Sequence, residues 1–429
     1  MKIRAIWGPV TIGIFAAALG FLRLVLGNQS SLTEVLWAED GLFPLCVRAF
    51  DSISCTFEPF AGYFLFVPRI GAVLIETLPI SLWPLGAAFF AMGVTGLLSS
   101  AIYSALKAFG VSTFGSTAAA LAYVLLPITG IEVIGVVGSL YIPLLIASAV
   151  LVVAVPRASG WHPAVPILLL ITALTIPTAV VLVPFIALNW MWRRIASRVA
   201  ILWLAALCVG LLAQATVVVL APDRRDMDVS VTSMGTWVRA LLNSVFSLVP
   251  GLSIGDVSLT EFTVLRPFPY LAWILVGLLA IAGMLGVAHG RNSLSTSIAA
   301  QLALLALLIS LIPSLSGTFS YRYFVAPVTL LVIALLILTD KRLGQQSLIK
   351  VTIGSVLLGM LWLTSFPASD LRSTPAPAWS VELGRAGALC QSGPGSQVNM
   401  TLTPVWPPKN AGLTELNQPR FICVSQSDS

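Results

Sequence analysis

The chain is laid out as long apolar runs separated by short polar turns. The first run covers 7–26, and ten more fall near 82–106, 112–129, 139–155, 163–177, 178–192, 199–220, 268–288, 297–314, 323–339 and 348–366. Most have the length an apolar helix needs to cross a hydrocarbon layer, roughly 17–25 residues. The fifth and sixth are the shortest, and "LTIPTAVVLVP" between them reads either as a tight re-entry or as one kinked segment. The first run is too long for a signal-peptide core, so it predicts a retained anchor. The pattern predicts an all-α polytopic membrane protein with about eleven transmembrane helices.

Charge gives these helices a direction. The short turns assigned to one side carry Lys2, Arg4, Lys107, Arg157, Arg193, Arg194, Arg198, Arg291, Lys341, Arg342 and Lys350, with Asp340 as their one acidic residue. Basic loops stay cytoplasmic, which predicts an N-in, C-out topology in the plasma (inner) membrane. Three segments then face outward: about 28–81, about 222–267, and a Pro- and Gly-rich tail at 367–429 that follows a transmembrane domain at 1–366. Within the first, the apolar stretch 64–80 is expected to lie along the interface rather than cross it. Within the second, 236–248 reads as a short amphipathic helix, and the charged run from Asp223 to Asp228 reads as a solvated loop. No internal repeat is evident.

Composition agrees: 58% of residues are hydrophobic and 9% charged, against roughly 25% charged in soluble domains. The net charge of +6 is spread between apolar runs, not gathered on one face, which excludes a nucleic-acid partner and leaves membrane lipids. Of five cysteines, Cys46 and Cys55 share the first outer segment, Cys390 and Cys423 share the tail, and Cys208 lies within a span. An oxidising compartment predicts the disulfides Cys46–Cys55 and Cys390–Cys423.

Candidate chemistry gathers at the outer face. Glu39 and Asp40 stand just beyond the first span. Adjacent carboxylates repel, so the pair calls for a cation or a bound metal. It could serve as a general base toward a hydroxyl, or hold a divalent ion beside a phosphate. The plainer alternative is that both cap a helix starting near Phe43 or solvate a loop. Arg69 follows Pro68 at the edge of an apolar run that also holds Tyr63; it either snorkels to lipid phosphate or faces an anionic substrate. Arg322, flanked by Tyr321 and Tyr323, poses the same choice at the mouth of a late span, with the tyrosines also suited to an aromatic belt. Glu132 sits in an otherwise apolar hairpin, where a carboxylate is a site candidate or an exposed tip. There is no Gly-rich nucleotide loop and no metal-spaced Cys/His cluster, and His162 and His289 fall on the cytoplasmic side.

Taken together, "WAEDG", "PFAGYFLFVPRIGA", "EVIGVVGSLYIPLL", "SYRYFVAP" and a tail with Trp379, Cys390 and Cys423 resemble polytopic actinobacterial membrane proteins of the GT-C glycosyltransferase type. The resemblance touches most of the chain and implies a GT-C-like fold with a small extracytoplasmic tail domain. It implies transfer of a sugar from a polyprenyl-phosphate donor to a glycan or lipid-linked acceptor at the outer face, in cell-envelope synthesis or modification. The catalytic carboxylate would be Asp40 or Glu39, and Arg69 or Arg322 would stabilise the departing phosphate. A divalent metal is a possible cofactor, with Glu39 and Asp40 its ligands. The chain departs from the resemblance at Ser139 and Tyr141, where an Asn and a His are expected, which bears on substrate choice. The rival class is a flippase, carrier or assembly partner for lipid-linked saccharides. It is disfavoured because the span middles are nearly bare of polar residues, Gln214 and Gln301 being among the few exceptions.

Overall fold

A computed structural model describes residues 3–27, 34–60, 63–126, 129, 133–154, 164–192, 194–220, 294–315, 323, 325–340, 377–390, 397–402 and 420–423. The expected spans at 268–288 and 348–366, the segment 222–267, and the site candidates Glu132, Tyr321 and Arg322 lie outside these residues.

Helices occupy the nine other expected spans: α1 (Ile3–Gly27), α5 (Trp83–Phe109), α6 (Thr113–Leu125), α7 (Tyr141–Ala154), α8 (Ala164–Thr175), α9 (Val183–Met191), α10 (Ser197–Leu220), α11 (Leu294–Leu315) and α12 (Val325–Asp340). Among the described residues, four stretches are long and apolar enough to cross by themselves: Trp7–Leu26, Ile80–Phe109, Val137–Ala154 and Ser197–Val217. α6, α8 and α9 are shorter than the apolar runs that announced them, and the α8–α9 boundary shows one cause. Ile176 is extended (φ −148°, ψ 129°) and Pro177 opens a 3-10 turn, Pro177–Leu182. Proline disfavours helix in the residue before it, so the run breaks there and is not one kinked helix.

Close packing holds the bundle. A Cβ on Gly13 of α1 would lie 2.8 Å from the Gly96 carbonyl oxygen of α5, and one on Gly96 would lie 2.6 Å from that of Gly13. Small residues of this kind let apolar helices approach when lipid offers no hydrophobic drive between them. Polar bonds then tie helix ends. Arg23 at the end of α1 donates to the Val124 and Leu126 carbonyls at 2.9 and 2.8 Å. Ser112, before α6, donates its N–H to Asp340 Oδ2 at 2.9 Å, and its hydroxyl also bonds that carboxylate. Arg194, before α10, donates to Ser297 Oγ of α11 at 2.8 Å. In each case the ends that meet are ends the charge pattern assigns to the same side.

The first outer segment folds into α2 (Ala38–Ala49), α3 (Ser52–Phe57) and α4 (Phe66–Glu76), with Cys46 and Cys55 joined in a disulfide. The tail contributes α13 (Trp379–Cys390) and a two-stranded antiparallel sheet, β1 (Gln397–Asn399) with β2 (Arg420–Ile422). Its second disulfide is Cys390–Cys423.

The tail is seated on the first outer segment. Glu34 accepts from the Ser380 N–H at 3.0 Å and from its hydroxyl at 2.7 Å, satisfying the first turn of α13. Trp379 donates its backbone N–H to the Glu34 carbonyl at 2.9 Å and its indole N–H to the Ile80 carbonyl at 2.9 Å. Its ring stacks on Trp83, with centroids 6.3 Å apart.

Candidate functional site

The site grows from α2. The expectation of a helix starting near Phe43 is corrected: α2 begins at Ala38, so Glu39 and Asp40 form its first turn, and Pro44 lies inside the helix instead of opening it. Carboxylates suit that position, where unpaired backbone N–H groups carry partial positive charge.

Both carboxylates press on one residue of the 3-10 turn Val137–Ser139 that leads into α7. Asp40 is 3% exposed, and its Oδ1 accepts the Gly138 N–H at 3.0 Å. Glu39 lies over the Gly138 α-carbon so closely that a Cβ there would stand 2.8 Å from the Glu39 Cβ and 3.3 Å from its Cγ. Glycine at 138 is thus what allows the two segments to touch. Ser139, at the departure from the resemblance, is buried in the same turn, and Tyr141 opens α7 directly after it.

The third side of the site is α4. Phe60 and Tyr63 pair through reciprocal backbone bonds of 3.0 and 3.2 Å. The next residue is gripped by Gln214 of α10: the Phe64 N–H donates to Gln214 Oε1 at 2.9 Å, and Gln214 Nε2 donates to the Phe64 carbonyl at 3.2 Å and to the Leu174 carbonyl at 2.9 Å. Leu65 then starts α4, and Arg69 completes its first turn with an N–H bond to the Leu65 carbonyl at 3.0 Å. One face of α4 is buried, and within the helix only Ile70 and Leu74 are well exposed.

Arg69 is 1% exposed. Its Nη2 donates to the Glu58 carbonyl at 3.1 Å, and its guanidinium lies 4.1 Å from the centroid of the Phe43 ring. Phe43 is one turn along α2 from Asp40, so cation and carboxylate are borne by neighbouring helices. α4 also meets the 3-10 turn, because a Cβ on Gly71 would stand 3.0 Å from Val137 Cγ1. Burial pulls the guanidinium down to about 9, against the charge of Glu58, which raises it. At neutral pH it therefore stays cationic.

Of the residues singled out in the sequence, Glu39 and Asp40 thus converge on one turn, Arg69 stands on the neighbouring helix α4 against Phe43 of α2, and Tyr63 stands at the entry to α4. Tyr323 is half-buried against the helical core beside α12. The sequence reading missed Gly138, Phe43 and Glu58, which carry no distinctive motif and become part of the site only through folding. It also missed Arg23, hidden in the first apolar run.

No protein-family model matches the chain, and no curated protein matches it. Among solved structures it is similar to the archaeal oligosaccharyltransferase AglB from Archaeoglobus fulgidus, solved in complex with an inhibitory peptide and a dolichol-phosphate. The TM-score is 0.53 at 14% identity, over 90% of this chain and 58% of that one. The fold is similar to that of AglB. At that identity the likeness speaks for architecture, and this chain spans less than two thirds of AglB's length.

Proposed function

We propose that the protein is a membrane glycosyltransferase that moves a sugar from a polyprenyl-phosphate donor to a glycan or lipid-linked acceptor at the outer face of the plasma membrane. One observation carries the reading: on a fold similar to that of AglB, adjacent carboxylates meet at the Gly138 turn and a buried arginine stands on the neighbouring helix α4, against Phe43 of the helix that bears them.

The arrangement supports a single displacement. Asp40, oriented by the Gly138 N–H, takes the proton of the acceptor hydroxyl. The acceptor oxygen then bonds to the anomeric carbon while the bond from that carbon to the phosphate oxygen breaks. Its electron pair leaves with the polyprenyl phosphate, and Arg69 stabilises the charge that develops there, as preorganised cations do. Arg322 is proposed as a second phosphate contact, and Tyr63, Tyr321, Tyr323 and Glu132 as further substrate contacts. Glu39 and Asp40 are also the residues that would hold a divalent ion; two carboxylates sharing a hard cation with donor phosphate suit magnesium-like coordination. Among the described residues no third His, Cys, Asp or Glu joins them.

Radiolabelled polyprenyl-phosphate sugars, offered with an envelope-lipid extract to the reconstituted protein, test the proposal. Asp40→Asn keeps a carbonyl oxygen for the Gly138 N–H and removes the base. Transfer should fall by about 10²–10⁴-fold with unfolding unchanged. Full activity in that variant removes Asp40 as the base, and donor movement between leaflets without transfer by the wild type indicates a carrier.

A further inference from the structure

The transferase reading uses one end of the helical domain and leaves a buried polar cluster at the other end without a role. Asn189, in the last turn of α9, is 2% exposed. Its Nδ2 donates to the Val152 carbonyl near the end of α7 at 2.9 Å, and its own carbonyl accepts the Arg194 N–H at 2.8 Å. The Arg194 guanidinium lies 4.9 Å from the Trp192 ring centroid and reaches Ser297 in the first turn of α11. One turn along that helix, Gln301 is 4% exposed. Helical side chains lean toward the N-terminus, so Gln301 leans toward Ser297.

Four atoms in this cluster are sealed from solvent and make no hydrogen bond: Asn189 Oδ1, Arg194 Nη1, Gln301 Oε1 and Gln301 Nε2. Buried polar atoms are rarely left so, and each exception calls for an explanation. Their chemistry is specific. Arg194 Nη1 is a cationic donor and needs an anionic oxygen. The two amide oxygens need hydrogen-bond donors, which a fully ionised phosphate lacks and hydroxyls supply, while Gln301 Nε2 needs an acceptor. A phosphate ester that also carries hydroxyls meets all four demands. The first turn of α11, beside Arg194, adds backbone N–H groups that favour an anion.

Two sources share that chemistry, a soluble polyol phosphate and a phospholipid headgroup. The surroundings favour lipid: Trp190, Met191 and Trp192 are 45%, 63% and 50% exposed beside the cluster, and tryptophans gather at membrane–water boundaries. We propose that this end of the domain binds the headgroup of an anionic, hydroxylated phospholipid such as phosphatidylglycerol or phosphatidylinositol, its phosphate against Arg194 and its hydroxyls against Gln301 and Asn189. The site lies in the leaflet opposite the carboxylates. Ser197 starts α10 here, and Gln214 of the same helix grips the outer segment roughly 25 Å away. Basic pockets between helices on the cytoplasmic side are suited to such headgroups.

The test needs no activity. Full-length protein in phosphatidylcholine nanodiscs is supplemented with phosphatidylglycerol, phosphatidylinositol or phosphatidate, or given soluble glycerol phosphate. Retained lipid is read by native mass spectrometry and stability by thermal unfolding. The hydroxylated anionic lipids should be retained and raise the unfolding temperature, phosphatidate should do so less, and glycerol phosphate should not. Gln301→Leu, which fills the same space, and Arg194→Gln should each weaken selective retention about tenfold. Retention that does not discriminate among lipids overturns the proposal. So does a Gln301→Leu protein that is more stable in every lipid yet keeps its selectivity, because the amide then meets only internal water. Binding of glycerol phosphate as tight as that of lipid overturns the lipid assignment.

Discussion

Replacing Gln214 with Leu should uncouple the outer segment from the helical domain. The side chain makes three hydrogen bonds, two to the Phe64 peptide and one to the Leu174 carbonyl at the frayed end of α8. Leucine leaves all three backbone groups without that partner at a buried site, and each orphaned group costs about 1–3 kcal/mol. Burying the leucine returns about 1.5–3 kcal/mol. Taken at the middle of those ranges, the net expectation is a loss of about 4 kcal/mol. Equilibrium unfolding in mixed micelles measures the total, and hydrogen exchange locates it: protection should fall at Phe64 and in the first turn of α4, including Arg69, while α1 and α5 keep theirs. A stability change below about 0.5 kcal/mol, the range of ordinary surface substitutions, with Phe64 still protected, would refute the clamp.

The remaining expectations concern the turn and the tail. Gly138→Ala places a Cβ 2.8 Å from Glu39 Cβ, so transfer should fall at least about tenfold while overpacking costs only about 1–3 kcal/mol; unchanged kcat in the reconstituted assay would count against the turn as the site's floor. Breaking Cys390–Cys423, which closes a separation of 33 residues, should cost about 3–4 kcal/mol by chain entropy, read as protease sensitivity of the tail on reduction. Burial works to raise the Glu382 carboxyl, but Arg385 and the Thr401 N–H outweigh it and hold the group below its ordinary value. A lowered folded value means that this stability is complete above the unfolded value and is lost as pH falls through the folded one. Exchange in α13 and β1 should therefore rise as pH drops below about 4.3, and Glu382→Gln should flatten that dependence.

The spans were legible because lipid leaves a simple signature: a long apolar run with basic ends on one side. The cysteine pairs were legible because each pair shares a segment. The start of α2 was not. Trp37 offers no side-chain cap to mark it, and a proline, Pro44, lies inside the helix. Arg23 was illegible for another reason. Its partners, the Val124 and Leu126 carbonyls, lie about a hundred residues away, and no local pattern announces a bond of that separation. The site divides the same way: its charged members stood out by residue type, while Gly138 and Phe43 became members only when α2, α4 and the 3-10 turn met.

That meeting also explains why the tail belongs to the frame of the site. Gly41 follows Asp40 directly, and a Cβ on it would stand 2.5 Å from Leu402 Cδ2 of the tail and 2.9 Å from Leu36 Cδ2. Leu402 is 1% exposed and rests where the α2 backbone is bare. The tail thus packs one side of the first turn of α2 while Gly138 packs another, and Asp40 lies between a residue from the far end of the chain and one from its middle. Three polar side chains inside the spans act in the same structural sense: Gln214 holds a peptide, Arg23 holds two carbonyls, and Ser148 bonds Thr172 at 2.8 Å. A transport path would keep such groups available to cargo at mid-membrane. Here they join backbone and neighbouring helices, and the carboxylates and Arg69 stand together at one end, where an outer-face reaction would need them.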